Sequence, residues 1–478
     1  MAVRTREEYV DSLRKQNPVI YMDGERVENI VDHPAFQTGL NSLGVTYDSA
    51  NDPRYRDLAT VKSPLIDEEI SRWTHLMQDE ADARAKVKLM QALGDYMCPC
   101  HYRCMTTDVL HAAWAVSYDI DEKYGTSYHQ NMIEITKRVQ SNDWAIGGGV
   151  VSPKGDRSKG AREQADPDMH LHVVEKKKDG IIVRGAKAHG TAAPYTNILC
   201  IVEMMPEPEY FVGFFTPLDT EGMTLICKAA HGPSEPKELE NPLSSKFGGH
   251  VEAIIIFEDV FVPWENVFMC GESEFLLPYA TILASNHLSA KCLCRSANMN
   301  LSIGATALIA DYNGLEGAPH IQDGMNEMAM DAEILYSCAM AAAVEGSKHA
   351  SGVYVPRMAP LATGKVHSAR KLGEHRYYMQ DVAGGLVATM ASEKDYRNPA
   401  TAKYLEKYYK GREGVSSDDR VRAFKLMEDL TASEFAGWYH AMCVSGGGAA
   451  QGFKAMVGME CGFEKCKGKA KRAAGIEE

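Results

Sequence analysis

The run "CPCHYRC", Cys98 to Cys104, puts three cysteines and a histidine into one short stretch. Thiolates and imidazole are the side chains that zinc and iron–sulfur clusters take as ligands. In a helix, Cys100 and Cys104 would stand on one face, one turn apart, with Pro99 tolerated in the first turn. His101 would then point off that face, and Cys98 would fall outside the pair. Far along the chain, "NHLSAKCLCRS" carries His287 and Cys294 on one helix face. Two helical turns separate them by about 10 Å along the axis. That span is wide for one small ion and suits a bulkier cluster. Together the two pairs form a set of three cysteines and one histidine. The competing reading is a core histidine and inert buried thiols, with Cys292 packed in the same helix. The residues alone leave both readings open.

Other stretches offer cofactor chemistry. In "SPKGDRSKG", Ser152, Pro153, Lys154, Gly155, Asp156 and Arg157 form a turn whose backbone N–H groups and cations could hold phosphate. An exposed charged turn would look the same. "AKAHGTAAPYTN" surrounds His189, Gly190 and Thr191 with small residues, which lets backbone approach a flat ligand closely. "DVAGGLVATMASEKD", with Gly384, Gly385 and Thr389, and "VSGGGAAQG" are further glycine signals. A G-x-G-x-x-G fingerprint after a strand and a P-loop are both absent, so a nucleotide would have to bind in another way.

These residues need a scaffold, and the chain has the means to build one. It has 478 residues, 45% hydrophobic and 24% charged, which are values of an ordinary globular protein. A net charge of -14 argues against a nucleic-acid partner. The 12 cysteines read as buried thiols or ligands rather than a disulfide framework. "MAVRTREEYVDSLRKQ" has no apolar core, and no apolar run approaches the roughly 20 residues of a membrane span. We therefore expect a cytoplasmic protein with no membrane partner.

Texture divides the chain into three regions. Residues 1–140 read as helical after a short irregular start. "PLIDEEISRWTHLMQDEADARAKVKLMQAL" and "MTTDVLHAAWAVSYDIDEKYG" carry apolar positions at helical spacing. Residues 141–275 read as a β domain, with a hairpin at "KKKDGI" and strands in "EYFVGFFTPL", "GMTLICKAA" and "EAIIIFEDVFVP". Residues 276–478 return to long Ala- and Met-rich helices suited to a bundle or a subunit interface. The tail "ECGFEKCKGKAKRAAGIEE" reads as solvated rather than as a second metal site.

The ordered motifs "VENIVDHPAF", "SPKGDRS", "AKAHGTAA", "IFEDVFVPWENVF" and "GGLVATMASEKDYRNP" resemble the 4-hydroxyphenylacetate 3-hydroxylase family over nearly the whole chain. Within it they resemble the branch that dehydrates and isomerises acyl-CoA thioesters. The resemblance implies an α+β, acyl-CoA dehydrogenase-like fold: an N-terminal helical domain, a middle β-barrel and a C-terminal four-helix bundle. It implies a homotetramer, a dimer of dimers, with FAD at a subunit interface. Ser152 to Arg157 and His189 to Thr191 would hold the flavin from one subunit. Gly384, Gly385 and Thr389 would reach it from the neighbour.

The resemblance also implies a [4Fe-4S] cluster on Cys100, Cys104, His287 and Cys294, which the family's monooxygenases lack. With it comes radical dehydration, in which removal of one electron from a thioester enolate makes an inert β-hydrogen acidic. His287 would be both ligand and candidate base, and Glu252 a proton acceptor or hydroxyl partner. The chain departs from the branch in three places: Lys291 replaces a tyrosine, Tyr102 a glutamine, and the pair Ala450 and Gln451 stands where a glutamate is expected. They imply retained cofactors around a rebuilt substrate pocket, with Lys291 as an acid or base. Two other readings remain, an aromatic monooxygenase served by a reductase and a non-catalytic or electron-transfer flavoprotein.

Overall fold

A computed structural model describes residues 2–96, 100–230 and 237–476; Cys98 and Pro99 lie outside them. The middle of the chain folds as its alternation predicts. "KKKDGI" closes a hairpin between strands His172–Lys176 and Gly180–Lys187, with Lys176 opposite Ile181. The other three β-rich runs become Phe211–Pro217, Met223–Lys228 and Glu252–Pro263.

One sheet runs Glu25–Arg26, Ile20–Met22, Met223–Lys228, Glu252–Pro263, Gly180–Lys187, His172–Lys176. A second runs Val267–Cys270, Phe211–Pro217, Ile198–Met204, Ile146–Gly149. Leu199 and Phe214 from the second share a core with Ile181, Leu225 and Ile255 from the first. The expected closed β-barrel is therefore replaced, among the described residues, by two sheets packed face to face. One edge shows why closure is unnecessary. Ile146 N–H donates to Thr106 Oγ1 of a covering helix at 2.9 Å, where a further strand would otherwise have to pair. The first sheet also recruits Ile20–Met22, parallel to Met223–Lys228, from near the N-terminus of the chain.

Helices surround the sheets. Cys104–Tyr124 ends at Gly125, whose φ of 66° makes the left-handed cap that glycine takes without strain. Leu276–Tyr312, Pro319–Val344 and Met358–Ala383 pack through small side chains, with Ala332, Ala339, Ala342 and Ala362 in one core with Leu288, Leu293 and Leu335. No helix among the described residues is long and apolar enough to cross a membrane.

The helical reading of "PLIDEEISRWTHLMQ" fails. Thr60–Lys62 and Glu69–Ser71 form a hairpin, a 3₁₀ turn covers Arg72–Thr74, and the helix starts only at Glu80. Local hydrogen bonds compete with the helix there: Ser63 Oγ accepts from Leu65 N–H at 3.0 Å, and Arg72 donates back to the Thr60 carbonyl at 3.2 Å.

The start of helix Glu80–Tyr96 is tied down by Asp82. Its carboxylate accepts from His75 Nε2 at 2.8 Å, Gln78 N–H at 3.0 Å and Arg72 at 3.2 Å. Burial acts to raise this carboxyl, but the His75 and Gln78 bonds and the Arg72 charge outweigh it and bring the pKa to about 2. A depressed carboxylate stabilises the fold fully above its unfolded value near 3.8 and loses that contribution as pH falls towards 2. Asp82→Asn should therefore cost about 2 kcal/mol at neutral pH. Denaturation curves at pH 7 should show this gap, and it should shrink steadily as the pH is lowered.

Candidate active site and cofactor sites

Tyr102 is buried with φ 61°, a left-handed conformation that a tyrosine adopts only when its surroundings impose it. It stops the helix from extending backwards, so Cys104 is the first helical residue and Cys100 lies in the preceding loop. The expected one-turn helical pair is thus a loop cysteine facing a helix cysteine. Three contacts fix this loop. His250 Nε2 sits 2.6 Å from the Cys100 carbonyl, and its ring lies 5.6 Å from that of Tyr102. Arg103 makes a fully buried ion pair with Asp143 and lies 3.7 Å over the Tyr47 ring. His101 packs against Trp73, and burial lowers its pKa to about 3, which keeps it neutral.

The four sequence-predicted ligands converge. Cys104 Sγ, an Asp108 oxygen and a His287 nitrogen lie within 4.8 Å of one another. The Cys100 and Cys294 thiols interact electrostatically with each other and with Cys104. His287 and Cys294 come from the long helix Leu276–Tyr312, as the spacing predicts. Burial raises all three thiols, Cys294 to about 12, so the protein alone holds them protonated and a metal would displace those protons. Cys292 is a core thiol, 3.9 Å from the Leu361 carbonyl.

Asp108 and Lys86 are the residues that sequence reasoning missed. Asp108 Oδ2 lies 3.0 Å from His287 Nδ1, and Asp108 Oδ1 lies 3.2 Å from Lys86 Nζ; both Lys86 and Asp108 are buried. Burial acts to raise Asp108, yet Lys86 and His287 hold it below the carboxylate range. An ionised carboxylate only accepts, so His287 Nδ1 carries the proton and Nε2 keeps the lone pair. Asp108 follows Cys104 by one helical turn, a spacing that could have identified it. Three thiols and an imidazole oriented by a second-layer carboxylate fit an iron–sulfur cluster.

Lys291 and Glu252 stand near the same residues. The Lys291 charge acts on Cys100, Cys294, His287 and Glu252. Backbone runs against it: a Cβ at Gly446 would fall 2.5 Å from the Met442 carbonyl oxygen, which cannot yield, and 2.7 Å from Lys291 Nζ. The expected glutamate region lies just beyond, where Ala450 begins a helix and Gln451 is exposed. Glu252 accepts from Thr191 Oγ1 at 2.6 Å and from Trp438 Nε1 at 3.4 Å. Burial raises its pKa, so it is a group poised to exchange a proton.

Thr191 joins this pocket to the candidate flavin segments. Ala188 N–H bonds the Val151 carbonyl at 2.8 Å, and buried Lys187 donates to Ser152 Oγ and to Glu203, both at 2.9 Å. The turn after Ser152 is held by Gln164, which accepts from Asp156 N–H at 2.9 Å. Gly155, at φ 50°, passes so close that a Cβ would meet Gln164 Oε1 at 2.4 Å. An open cleft of about 390 Å³ is lined by Ser152, Pro153, Lys154, Asp156 and Arg157, and its exposed cations suit a phosphate-bearing cofactor. His189 has φ 58°, and Gly190 N–H bonds the Ala253 carbonyl at 2.7 Å.

Gly384, Gly385 and Thr389 stand apart. They lie just beyond helix Met358–Ala383, and a Cβ on either glycine would meet nothing within 4 Å. Lys365 of that helix packs beside Arg295, and Ala383 lies about 27 Å further along the axis.

Residues 5–269 match the N-terminal model of 4-hydroxyphenylacetate 3-hydroxylase, and residues 278–475 match its C-terminal model. The chain belongs to the 4-hydroxyphenylacetate 3-hydroxylase family. It is 35% identical, over 99% of both chains, to the 4-hydroxybutyryl-CoA dehydratase/vinylacetyl-CoA-Delta-isomerase of Clostridium aminobutyricum. Its structure is similar to an oxygen-tolerant archaeal 4-hydroxybutyryl-CoA dehydratase from N. maritimus, with TM-score 0.94 and 33% identity over 100% of this chain and 96% of that one. The oxygenase component of 4-hydroxyphenylacetate 3-monooxygenase, solved with FAD, shares the fold at TM-score 0.88 and 24% identity over 99% of each chain.

Breaking one side of a buried ion pair leaves an uncompensated charge, which costs roughly 3–5 kcal/mol. Asp108→Asn should lose stability on that scale in denaturant titrations of the metal-free chain. Replacing Lys86 and Asp108 together by Met and Leu should recover most of the loss. An Asp108→Asn chain as stable as the parent would mean that Lys86 does not depend on this carboxylate.

Proposed function

We propose that this protein dehydrates or isomerises a hydroxyacyl-CoA or enoyl-CoA thioester, in the manner of 4-hydroxybutyryl-CoA dehydratase, using FAD and a [4Fe-4S] cluster. The observation that carries the reading is the meeting of Cys100, Cys104, Cys294 and His287 in one buried pocket beside Glu252. When bound, the flavin would supply one-electron chemistry and the cluster a Lewis acid for the leaving hydroxyl. Ser152 to Arg157 and His189 to Thr191 are the candidate flavin contacts. The similarity to dehydratases over the full chain supports the substrate class. Aromatic hydroxylation, the activity named for more distant relatives, would not require three cysteines and a histidine to meet.

The residues divide the proton work. His287 has one lone pair, on Nε2, so it can ligate iron or take a proton, but not both at once. Glu252, already pushed towards protonation by burial, is the second proton site, and Thr191 and Trp438 hold its two oxygens in place. Lys291 puts a flexible cation between them, where it can bind a polar acyl group or act as acid or base. Gly446 and Gly447 let the backbone run beside its side chain.

The wider reading is a cytoplasmic homotetramer, a dimer of dimers, in which Gly384, Gly385 and Thr389 of one copy complete the flavin site of another. The open space around both glycines and their distance from the cysteine pocket support it. We read the layout as acyl-CoA dehydrogenase-like, with residues 1–140 as a helical domain, residues 141–275 as a flavin-binding β domain and residues 276–478 as a helical bundle.

Protein purified anaerobically should be brown, with about four irons and one FAD per chain. Cys294→Ala should abolish the iron and its visible absorbance; iron-free parent protein after anaerobic reconstitution would overturn the proposal. Lys291→Tyr should raise turnover of 4-hydroxybutyryl-CoA if Lys291 faces substrate. Unchanged kcat/KM across a panel of acyl-CoA thioesters would remove Lys291 from the pocket.

A further inference from the structure

The helix Ala450–Cys461 ends at Gly462, whose left-handed backbone, φ 68°, turns the chain directly into the helix Phe463–Ala473. This elbow brings two side chains face to face. Cys461 Sγ and Cys466 Sγ are 3.7 Å apart, and both residues are exposed. The other described cysteines are buried or half-buried, so they meet neither solvent nor small oxidants to the same degree. A disulfide requires the sulfurs to close from this separation to about 2.05 Å.

Cations lie around the pair. Lys465 and Lys467 flank Cys466 in sequence, and the Lys469 ammonium acts on Cys461. Nearby cations stabilise thiolate, the species that attacks disulfides. Either sulfur can donate to the other, so either cysteine can be the first nucleophile once its proton has left. The elbow is anchored, since Arg357 pairs with Glu460 and Phe453 packs in the core that holds Leu288, next to His287.

We infer that Cys461 and Cys466 form a redox-active dithiol that exchanges with low-molecular-weight disulfides of the glutathione type. One of the two cysteines loses its proton to water and attacks one sulfur of the small disulfide, that S–S bond breaks, and one small thiolate leaves. The other cysteine then releases its proton to water and attacks the sulfur of the first, expelling the second small thiolate. The protein pair loses two electrons and two protons, and the small disulfide takes up both electrons. The closed loop is short, so it removes little chain entropy from the unfolded state. The bond is therefore an exchangeable handle rather than a structural staple.

The test uses the full chain, reduced and desalted anaerobically, incubated with glutathione disulfide, then alkylated and digested for peptide mapping. A Cys461–Cys466 cross-link should form, both native-accessible thiols should disappear together, and dithiothreitol should restore them. Cys461→Ser should trap a mixed glutathione disulfide on Cys466. Separate glutathione adducts persisting on both cysteines of the parent protein would overturn the inference. So would thiols that react only after denaturation, which would place the elbow inside a contact with another copy.

Discussion

A carboxylate with no exposure to water, Asp108, sits where three helices meet. An isolated charge there would cost several kcal/mol, so the fold is viable only if Lys86 and His287 both arrive beside it. Lys86 comes from Glu80–Tyr96, Asp108 from Cys104–Tyr124 and His287 from Leu276–Tyr312, the helix against which the other two pack. The constraint propagates outwards. Asp82 anchors the first of these helices to Arg72 and His75. Gly94 lets the same helix approach the third so closely that a Cβ would fall 2.4 Å from that of Ala297. The result is an imidazole with a defined tautomer, aimed into a pocket of soft donors.

The loop that supplies Cys100 follows a second buried charge pair. Arg103 and Asp143 are both fully buried, and the Tyr47 ring covers the guanidinium. With that pair made, Tyr102 is held left-handed and the helix cannot grow back over Cys100. A looser tether would let a cysteine swing, whereas ligand geometry needs positions held within about half an ångström. His250, bonded to the Cys100 carbonyl and packed on Tyr102, completes the support.

Polar groups stand beside the thiols. Glu252 and Lys291 face each other's charge, and Thr191 ties Glu252 to the segment proposed to hold flavin. One hydrogen bond thus links the buried Glu252 carboxyl to that segment. Lys291 owes its place to the glycines at 446 and 447, which let backbone run against its side chain.

Local signals made much of this legible. Asp-Gly in "KKKDGI" specified a hairpin because few residue pairs tolerate that turn. His287 and Cys294 are on one helix face because helical periodicity is a local property. The motif order indicated the family, and the chain belongs to it. The segment 64–79 misled, since its apolar spacing suits a helix while Ser63 and Arg72 bond backbone that a helix would need.

What the sequence determined by itself was the inventory: which residues can ligate, which segments turn, and which family shares them. The tertiary structure decided the partnerships. The Asp108 bond to His287, the burial of Lys86 and the left-handed backbone at Tyr102 depend on residues far apart in the chain, brought together by packing. Periodicity carries no information about which distant charge will neutralise a buried one, because that choice is made by desolvation once the helices have met.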